Sequence, residues 1–483
     1  MRPTDGLAPN PAPTESTEGI GLLGAGTVGT AVVSRLCDPG TLPFLPTPRI
    51  VGAAIRDPQR KRPAVFEKIP LTTDAVSLAG NPEVTILIDV MGGEEPALNA
   101  CLTALARGIP VITANKELLA LHWNDLQAAA ARSGTGIYFS ACVGGAVPMI
   151  EMMEHALSCD QILGLTGVLN ATSNLVLQLA GMGQSLESAL QIARAEGMAE
   201  ADPSRDLSGQ DALDKARLLS HLAWPGNRQV ATLAPGVTTL AAKTALPARS
   251  LGLALAPVAI CTPVNTRGTT GIWCGLGACE LGHPLATLPA TGCGLVVYSD
   301  LAGTTFVSGA GAGGKATTSA VLNDLNACLT GSRKDNVRPA LTGLEEPVHA
   351  TPCGTPNRWL ATGAGTPQAA IARLAASGFA VRGDETGSNL PVDSTRMDSI
   401  HFTTAEKGRI AHSKTHWACL VESIGKELSL QDGSLPCDES FALLPVLEAH
   451  PGRKQITTPP EGKRCLDQGD TDKGTIERTR HGK

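Results

Sequence analysis

The densest chemistry in this sequence runs from Glu200 through Asp202, Arg205, Asp206, Gly209, Asp211 and Asp214 to Lys215. Asp211 and Lys215 are four residues apart, so a helix starting near Gly209 puts both on one face. With Glu200 and Asp206 upstream, such a block can clamp an amino group with carboxylates and leave a lysine to exchange a proton. The same residues also suit a solvated, acid-rich helix start with a routine ion pair, and alone the block weighs the two readings evenly. A second lysine stands in Ala114-Asn115-Lys116-Glu117, directly after the apolar run 109–113. That places Lys116 at the carboxyl end of a buried strand, where open α/β sheets bind ligands. Its plain alternative is an exposed lysine in the first turn of a helix.

Phosphate chemistry is written near the start of the chain. Gly24-Ala25-Gly26-Thr27-Val28-Gly29 is a G-x-G-x-x-G loop directly after an apolar run and before a helix-like stretch, 30–36. The first glycine serves a tight turn, the second a close backbone approach to pyrophosphate, and the third helix–strand packing. The N–H groups of the helix start then face the phosphates. The next strand-like run ends in Arg56-Asp57, followed by Lys61 and Arg62. A carboxylate there would bind ribose hydroxyls, whereas arginine favours a 2′-phosphate. The residues lean toward NADP, but a solvated charged loop is an equal reading, and NAD versus NADP stays open.

These residues need a scaffold. Strand-like runs at 20–23, 50–55, 85–90, 111–113 and 137–139 alternate with helix-like stretches such as 96–106 and 117–132. Continuous apolar runs of this kind belong to a buried parallel sheet, and the alternation predicts an α/β, Rossmann-like doubly wound domain over 19–150. Residues 151–305 read as an inserted α+β domain, with helices at 185–196 and 211–223 and a strand at 294–298. A helix at 316–328 returns the chain to the first domain within 306–330. Residues 1–18 read as a disordered leader, 331–356 as a linker and 448–483 as a disordered tail. The region 357–447 admits strands at 360–363, 379–382 and 398–403 with a helix at 366–377.

Composition narrows the partners. Aromatic residues are 3% of 483, and 39 Lys plus Arg against 45 Asp plus Glu leave a net charge of −6, which together argue against a nucleic-acid partner. Thirteen cysteines contain no CxxC pair, which implies no disulfide framework and suits a cytoplasmic chain. Cys274, Cys279 and His283 have zinc-ligand types, but packing positions are the favoured reading. Neither a signal-peptide core nor a membrane-spanning apolar run is present in the sequence, so no membrane partner is expected.

Taken together and in order, these motifs resemble the homoserine dehydrogenases over about residues 19–330. The resemblance is carried by the nucleotide loop, Val90-Met91-Gly92-Gly93 with Pro96, Ala114-Asn115-Lys116 and the run from Val143 to Pro148. It continues through Asn170-Ala171-Thr172-Ser173-Asn174, the Glu200 to Lys215 block, His283-Pro284-Leu285-Ala286 and the glycine run 309–314. It implies NAD(P)-dependent interconversion of L-homoserine and L-aspartate 4-semialdehyde, on the route to threonine and methionine, by a homodimer or homotetramer, with 151–305 as the catalytic and dimerisation domain. It implies that Lys116 and Lys215 flank the reacting hydroxyl, while Glu200, Asp206 and Asp211 hold the substrate. Two lysines in one cleft should repel, lowering one pKa toward neutrality. Gly24 to Gly29, Arg56, Gly92, Asn115, Lys116, Asn170, Thr172 and Gly311 should contact the dinucleotide. Carbonyls of Val143, Gly145 and Val147 would offer a sodium site.

The chain also departs from that pattern. Ser140 stands where the family usually has a Glu that serves the cation, and Ala171 where it has Gly, a residue better suited to a turn. An ACT-like C-terminal domain is one reading of 357–447. Two other functions remain: a catalytically weak dinucleotide-binding regulator, and a dehydrogenase of another amino-alcohol.

Overall fold

Short apolar runs pair into one parallel sheet in the computed structural model, which describes residues 18–38 and 48–331, apart from positions 201, 235, 251, 266 and 267, and a set of strands between 358 and 447. The strands are β1 (Gly19–Leu23), β2 (Arg49–Ala54), β3 (Leu71–Thr72), β4 (Ile86–Asp89), β5 (Val111–Thr113) and β6 (Ile137–Tyr138). Their order is β3-β2-β1-β4-β5-β6, the doubly wound arrangement with its reversal between β1 and β4. Alternate residues face opposite ways. Ile86 and Ile88 pack with α1 (Thr27–Leu36), and Leu87 packs with α2 (Ala75–Gly80), α3 (Ala97–Ala106) and α4 (Lys116–Ser133). The two-residue β3 was too short to read from the sequence.

The second domain starts with α5 (Met149–Glu151) and continues through β7 (Ile162–Val168), α6 (Ala171–Gly181), α7 (Leu186–Ala195), α8 (Ser204–Leu207), α9 (Gln210–Ala223), β8 (Arg228–Leu233) and α10 (Thr239–Ser250). Then come β9 (Leu253–Asn265), β10 (Thr269–Glu280), β11 (Gly292–Ser299) and β12 (Thr304–Ala310). The long β9–β10 hairpin and helices α6 and α10 were not anticipated. Strand β9 holds Pro257 and Pro263, which local rules disfavour in a central strand. Both lie outside the span Val258–Cys261 that pairs with β7 as well as β10, so their missing N–H groups fall where the strand is bonded on one side only. Ala171, feared to crowd a turn, is the first residue of α6, a position that alanine suits.

Helix α11 (Gly314–Thr330) returns to the first sheet, where Val321, Leu322 and Leu325 pack with Ile20 and Leu22. Exit and return are tied at one point. The Ser140 N–H and Oγ–H donate to the two carboxylate oxygens of Asp324 at 2.8 and 2.7 Å, all buried. Beyond α11 the described strands are β13 (Arg358–Ala364), β14 (Ala380–Arg382), β15 (Ser399–His401), β16 (Ala411–Ser413), β17 (His416–Ile424), β18 (Cys437–Asp438) and β19 (Phe441–Leu447). Strand β19 adds to the edge of β10 through Ala278 and Cys279. The expected helix at 366–377 lies outside the described residues, as do the leader, linker and tail apart from Glu18 and Gly331.

A ring stack fastens α4 to α9. Trp123 lies flat on His221, with centroids 4.9 Å apart and planes 7° from parallel, and meets Phe139 edge-on. Burial, with Arg217 nearby, lowers the His221 pKa to about 4, and burial lowers that of His283 to about 4. Both imidazoles fold neutral, whereas in the unfolded chain they protonate near pH 6.5. Protons therefore favour the unfolded chain as pH falls from about 6.5 to about 4. Urea midpoints should drop between pH 7 and pH 5, and His221→Phe, which keeps the stack, should remove part of that drop; an unchanged pH dependence would count against this account.

Candidate active site

Both lysines meet at one carboxylate. Asp211, in the first turn of α9, pairs through Oδ2 with Lys215 Nζ at 2.7 Å and through Oδ1 with Lys116 Nζ at 3.1 Å. Lys116 is the first residue of α4, at the carboxyl end of β5, so the pair spans the two domains. Lys215 also donates to the Leu169 carbonyl at 2.8 Å. Asn170 Nδ2 donates to Asp211 Oδ2 and to Asp206 Oδ1, each at 2.8 Å, which brings Asp206 into the same cluster. Glu200 is exposed and makes no hydrogen bond or ion pair to the cluster among the described residues.

Repulsion between the two lysines was expected to lower the pKa of one of them; at Lys215 the direction is the opposite. Burial acts most strongly and lowers that of Lys215, but the charge and hydrogen bond of Asp211, together with Cys293 and Asp206, outweigh it, and the net shift is upward. Asp211 is pulled below the ordinary carboxylate range: burial opposes this, and Lys215, then Lys116, overcome it. A carboxylate placed between two ammonium groups turns their repulsion into two attractions. Lys215 is thus held as a cation at neutral pH.

The loop that precedes Lys116 is built from buried hydrogen bonds. Asn115 caps α4 by accepting from Leu118 N and donates through Nδ2 to the Gly93 carbonyl at 2.7 Å. Thr113 Oγ1 donates to Asp89 Oδ2 at 3.0 Å and accepts from Asn115 N. Asp89 is fully buried, and burial raises its carboxyl above the ordinary range despite bonds from Met91, Thr113 and Asn115. Asp89 was not singled out from sequence, although an acid closing the apolar run Ile86–Asp89 was a visible signal. Asp214 was named in the acidic block but given no role of its own. It is buried and paired with Arg205 at 2.9 Å, and it accepts from Gln210 at 2.9 Å, which ties α8 to α9.

The phosphate loop has the expected form. Gly24 has φ 103°, and a Cβ there would lie 2.7 Å from Met91 Cα, across the sheet's reversal point. A Cβ on Gly29 would sit 2.1 Å from the Gly24 carbonyl. Gly26 caps α1 without any side-chain bond, and a Cβ there meets nothing, so the helix N–H groups stay open to an anion. Ala25 and Val28 are partly buried, and Thr27 is exposed. Arg56 lies exposed just beyond β2, and Gly92 is exposed at φ 68°.

Other expected contacts lead elsewhere. Thr172 Oγ1 donates to the Met198 carbonyl at 2.6 Å, and the Asn170 amide is spent on Asp206, Asp211 and Ser173 N. The close approach at Gly311 is to Cys293, whose Sγ would lie 2.1 Å from a Cβ there; the return segment meets the nucleotide loop instead at Gly314, beside Thr27. Cys274 and Cys279 are an odd number of residues apart on β10 and enter different core clusters, so they do not converge on a metal. In the segment Val143, Gly145, Val147, the Val147 carbonyl accepts from Met149 N at 2.7 Å, and Ser140 offers no carboxylate. That segment lacks the anionic donor a cation site there would use.

A doubly wound sheet with an open glycine loop, joined to a domain that brings lysine and carboxylates to its carboxyl edge, defines a dinucleotide-dependent oxidoreductase. Residues 24–140 match the family model for the homoserine dehydrogenase NAD-binding domain, and residues 148–325 match that for homoserine dehydrogenase. The chain is 31% identical over 339 residues to the homoserine dehydrogenase of Synechocystis, covering 69% of this chain and 78% of that protein. It is 35% identical over 322 residues to that of Mycobacterium leprae, covering 64% and 72%. The crystal structure of a homoserine dehydrogenase from Thiobacillus denitrificans superposes with a TM-score of 0.70 at 25% identity, over 90% of this chain and 99% of that one. The chain belongs to the homoserine dehydrogenase family. No helix among the described residues is long and apolar enough to cross a membrane.

The loop geometry makes a direct prediction. Gly29→Ala forces the new methyl into the Gly24 carbonyl, so dinucleotide affinity measured by fluorescence titration should fall by about tenfold or more, with a lowered Tm. Unchanged affinity would contradict the stated packing.

Proposed function

We propose that this protein interconverts L-homoserine and L-aspartate 4-semialdehyde, exchanging hydride with NADP(H) in preference to NAD(H), on the route to threonine and methionine. The observation that carries the reading is the Lys116–Asp211–Lys215 cluster, set where the two domains meet at the carboxyl end of β5. An intact buried proton-handling group supports catalysis over a purely regulatory binding role.

When bound, the dinucleotide supplies or accepts the hydride. Lys215 handles the proton at the reacting oxygen: its ammonium gives a proton to the semialdehyde carbonyl oxygen in reduction, and its amine takes the hydroxyl proton in oxidation. Asp211 fixes both lysines, and Lys116 adds a second positive charge beside the developing alkoxide. Because both Asp211 oxygens are engaged, Asp206 and the exposed Glu200 are the carboxylates left for the substrate's ammonium. No step uses a cation.

The preference for NADP is supported by the turn after β2. Arg56, Arg60 and Lys61 are exposed there. The only carboxylate of the stretch, Asp57, is tied to its own turn, accepting from Gln59 N at 2.8 Å, while Arg62 donates to the Asp57 carbonyl at 2.7 Å. Free cations and a committed carboxylate suit a 2′-phosphate better than a bare ribose diol. Membership of the homoserine dehydrogenase family supports a homodimer or homotetramer, and the free cysteines among the described residues suit a cytosolic setting.

Purified protein should reduce NADP+ with L-homoserine. Lys215→Ala should cut kcat by about 10²–10⁴-fold with cofactor affinity intact. Since the Lys215 pKa is raised, oxidation should accelerate about tenfold per pH unit from neutrality upward, while semialdehyde reduction should not. Activity on other amino-alcohols but not on homoserine would sink the reading. Separately, Arg56→Ala should lower kcat/KM for NADP+ by about tenfold and leave NAD+ within about twofold; equal losses with both would show that Arg56 does not read the 2′-phosphate.

A further inference from the structure

Asn170 is buried, 3% exposed, at the start of α6, and its amide is bonded in every direction the cluster offers. Oδ1 accepts from Ser173 N at 2.8 Å and so caps the helix. Nδ2 uses one hydrogen on Asp206 Oδ1 and the other on Asp211 Oδ2, both at 2.8 Å. The orientation is forced, because a flipped amide would aim its oxygen at two carboxylates and its nitrogen at a backbone N–H. Asp206 is gripped from a second side as well, since Ser173 Oγ donates to its backbone carbonyl at 2.7 Å. Two carboxylates thus converge on one nitrogen. Remove that nitrogen and they face each other across a poorly solvated gap, where like charges repel. Asp211 cannot retreat from its two lysines without breaking both pairs. Asp206, half-buried on a four-residue helix, is the one free to turn away.

We propose that Asn170 is a positioning residue for substrate selection: its amide holds Asp206 beside Asp211, so that the remaining oxygen of Asp206 is presented to the ammonium of an α-amino acid that carries the reacting alcohol. The proposal rests on the homoserine reading above and assigns the preference for an aminated substrate to a residue that touches neither hydride nor proton.

The test compares two substrates that share the alcohol and the carboxylate, L-homoserine and 4-hydroxybutanoate, which lacks the amine. Asn170→Ser keeps the helix cap and removes both bridging donors. It should lower kcat/KM for L-homoserine by about tenfold, mainly through KM, and leave kcat/KM for 4-hydroxybutanoate and the affinity for NADP+ within about twofold. Asn170→Asp keeps the shape and the cap but adds a third carboxylate. Its deficit on L-homoserine, relative to wild type at the same pH, should exceed that of Asn170→Ser at pH 8 and shrink toward pH 6, as the crowded carboxyl takes a proton and becomes a donor. Equal losses on both substrates, no loss on homoserine, or a loss of NADP+ affinity would each overturn the proposal. Should the wild type not oxidise homoserine at all, the reaction assignment fails by itself. Positioning is then read by calorimetry of L-homoserine on the NADP+-loaded protein: weaker binding in Asn170→Ser upholds it, and unchanged or absent binding overturns it.

Discussion

One carboxylate shared between two lysines sets the terms for the rest of the site. Asp211 is nearly buried, and so is Lys215, so neither charge would be stable there alone. Each pays for the other's desolvation, and Lys116 arrives from the other domain to complete the arrangement. Losing one partner of such a buried pair typically costs about 3–5 kcal/mol, because the remaining charge is stranded. The domain junction and the proton chemistry are therefore one feature: what joins α4 to α9 also holds Lys215 protonated. A second fastening runs parallel to it, in the Trp123–His221 stack.

Around that junction, polar groups are fixed by buried hydrogen bonds. Asp89, Thr113 and Asn115 set the loop from which Lys116 emerges. Asn170 and Ser173 set the carboxylates from the other side. Ser140 and Asp324 tie the point where the chain leaves the nucleotide sheet to the helix on which it returns. None of these groups needs to touch substrate to matter, since a buried polar atom without its partner costs about 1–3 kcal/mol and lets its neighbour drift.

Much of the fold was legible because its signals are local. The apolar runs at 20–23, 50–55, 85–90 and 111–113 read as buried parallel strands, and each lies within a residue or two of an observed one. The glycine loop was readable because its spacing reflects backbone sterics, and Gly24 and Gly29 indeed leave no room for a Cβ. What escaped was structure that depends on pairing partners. The β9–β10 hairpin carries two prolines that local rules exclude from a central strand, yet its register places them beside the doubly bonded span. Ala171 read as a misfit until its position inside α6 was known.

By itself, then, the sequence determined the class of fold, the phosphate loop, the two lysines and the acidic block, because backbone sterics, hydrophobic period and residue type are carried in the chain order. Only the tertiary structure decided how those charges combine. Residues 116 and 211 lie far apart in the chain, and nothing local says that a carboxylate will stand between the lysines instead of beside one of them. That placement raises the Lys215 pKa, where repulsion between the two lysines alone would lower it. It also commits the Asn170 amide to two carboxylates. Coulombic effects depend on distance and burial, and both are set by how the two domains pack.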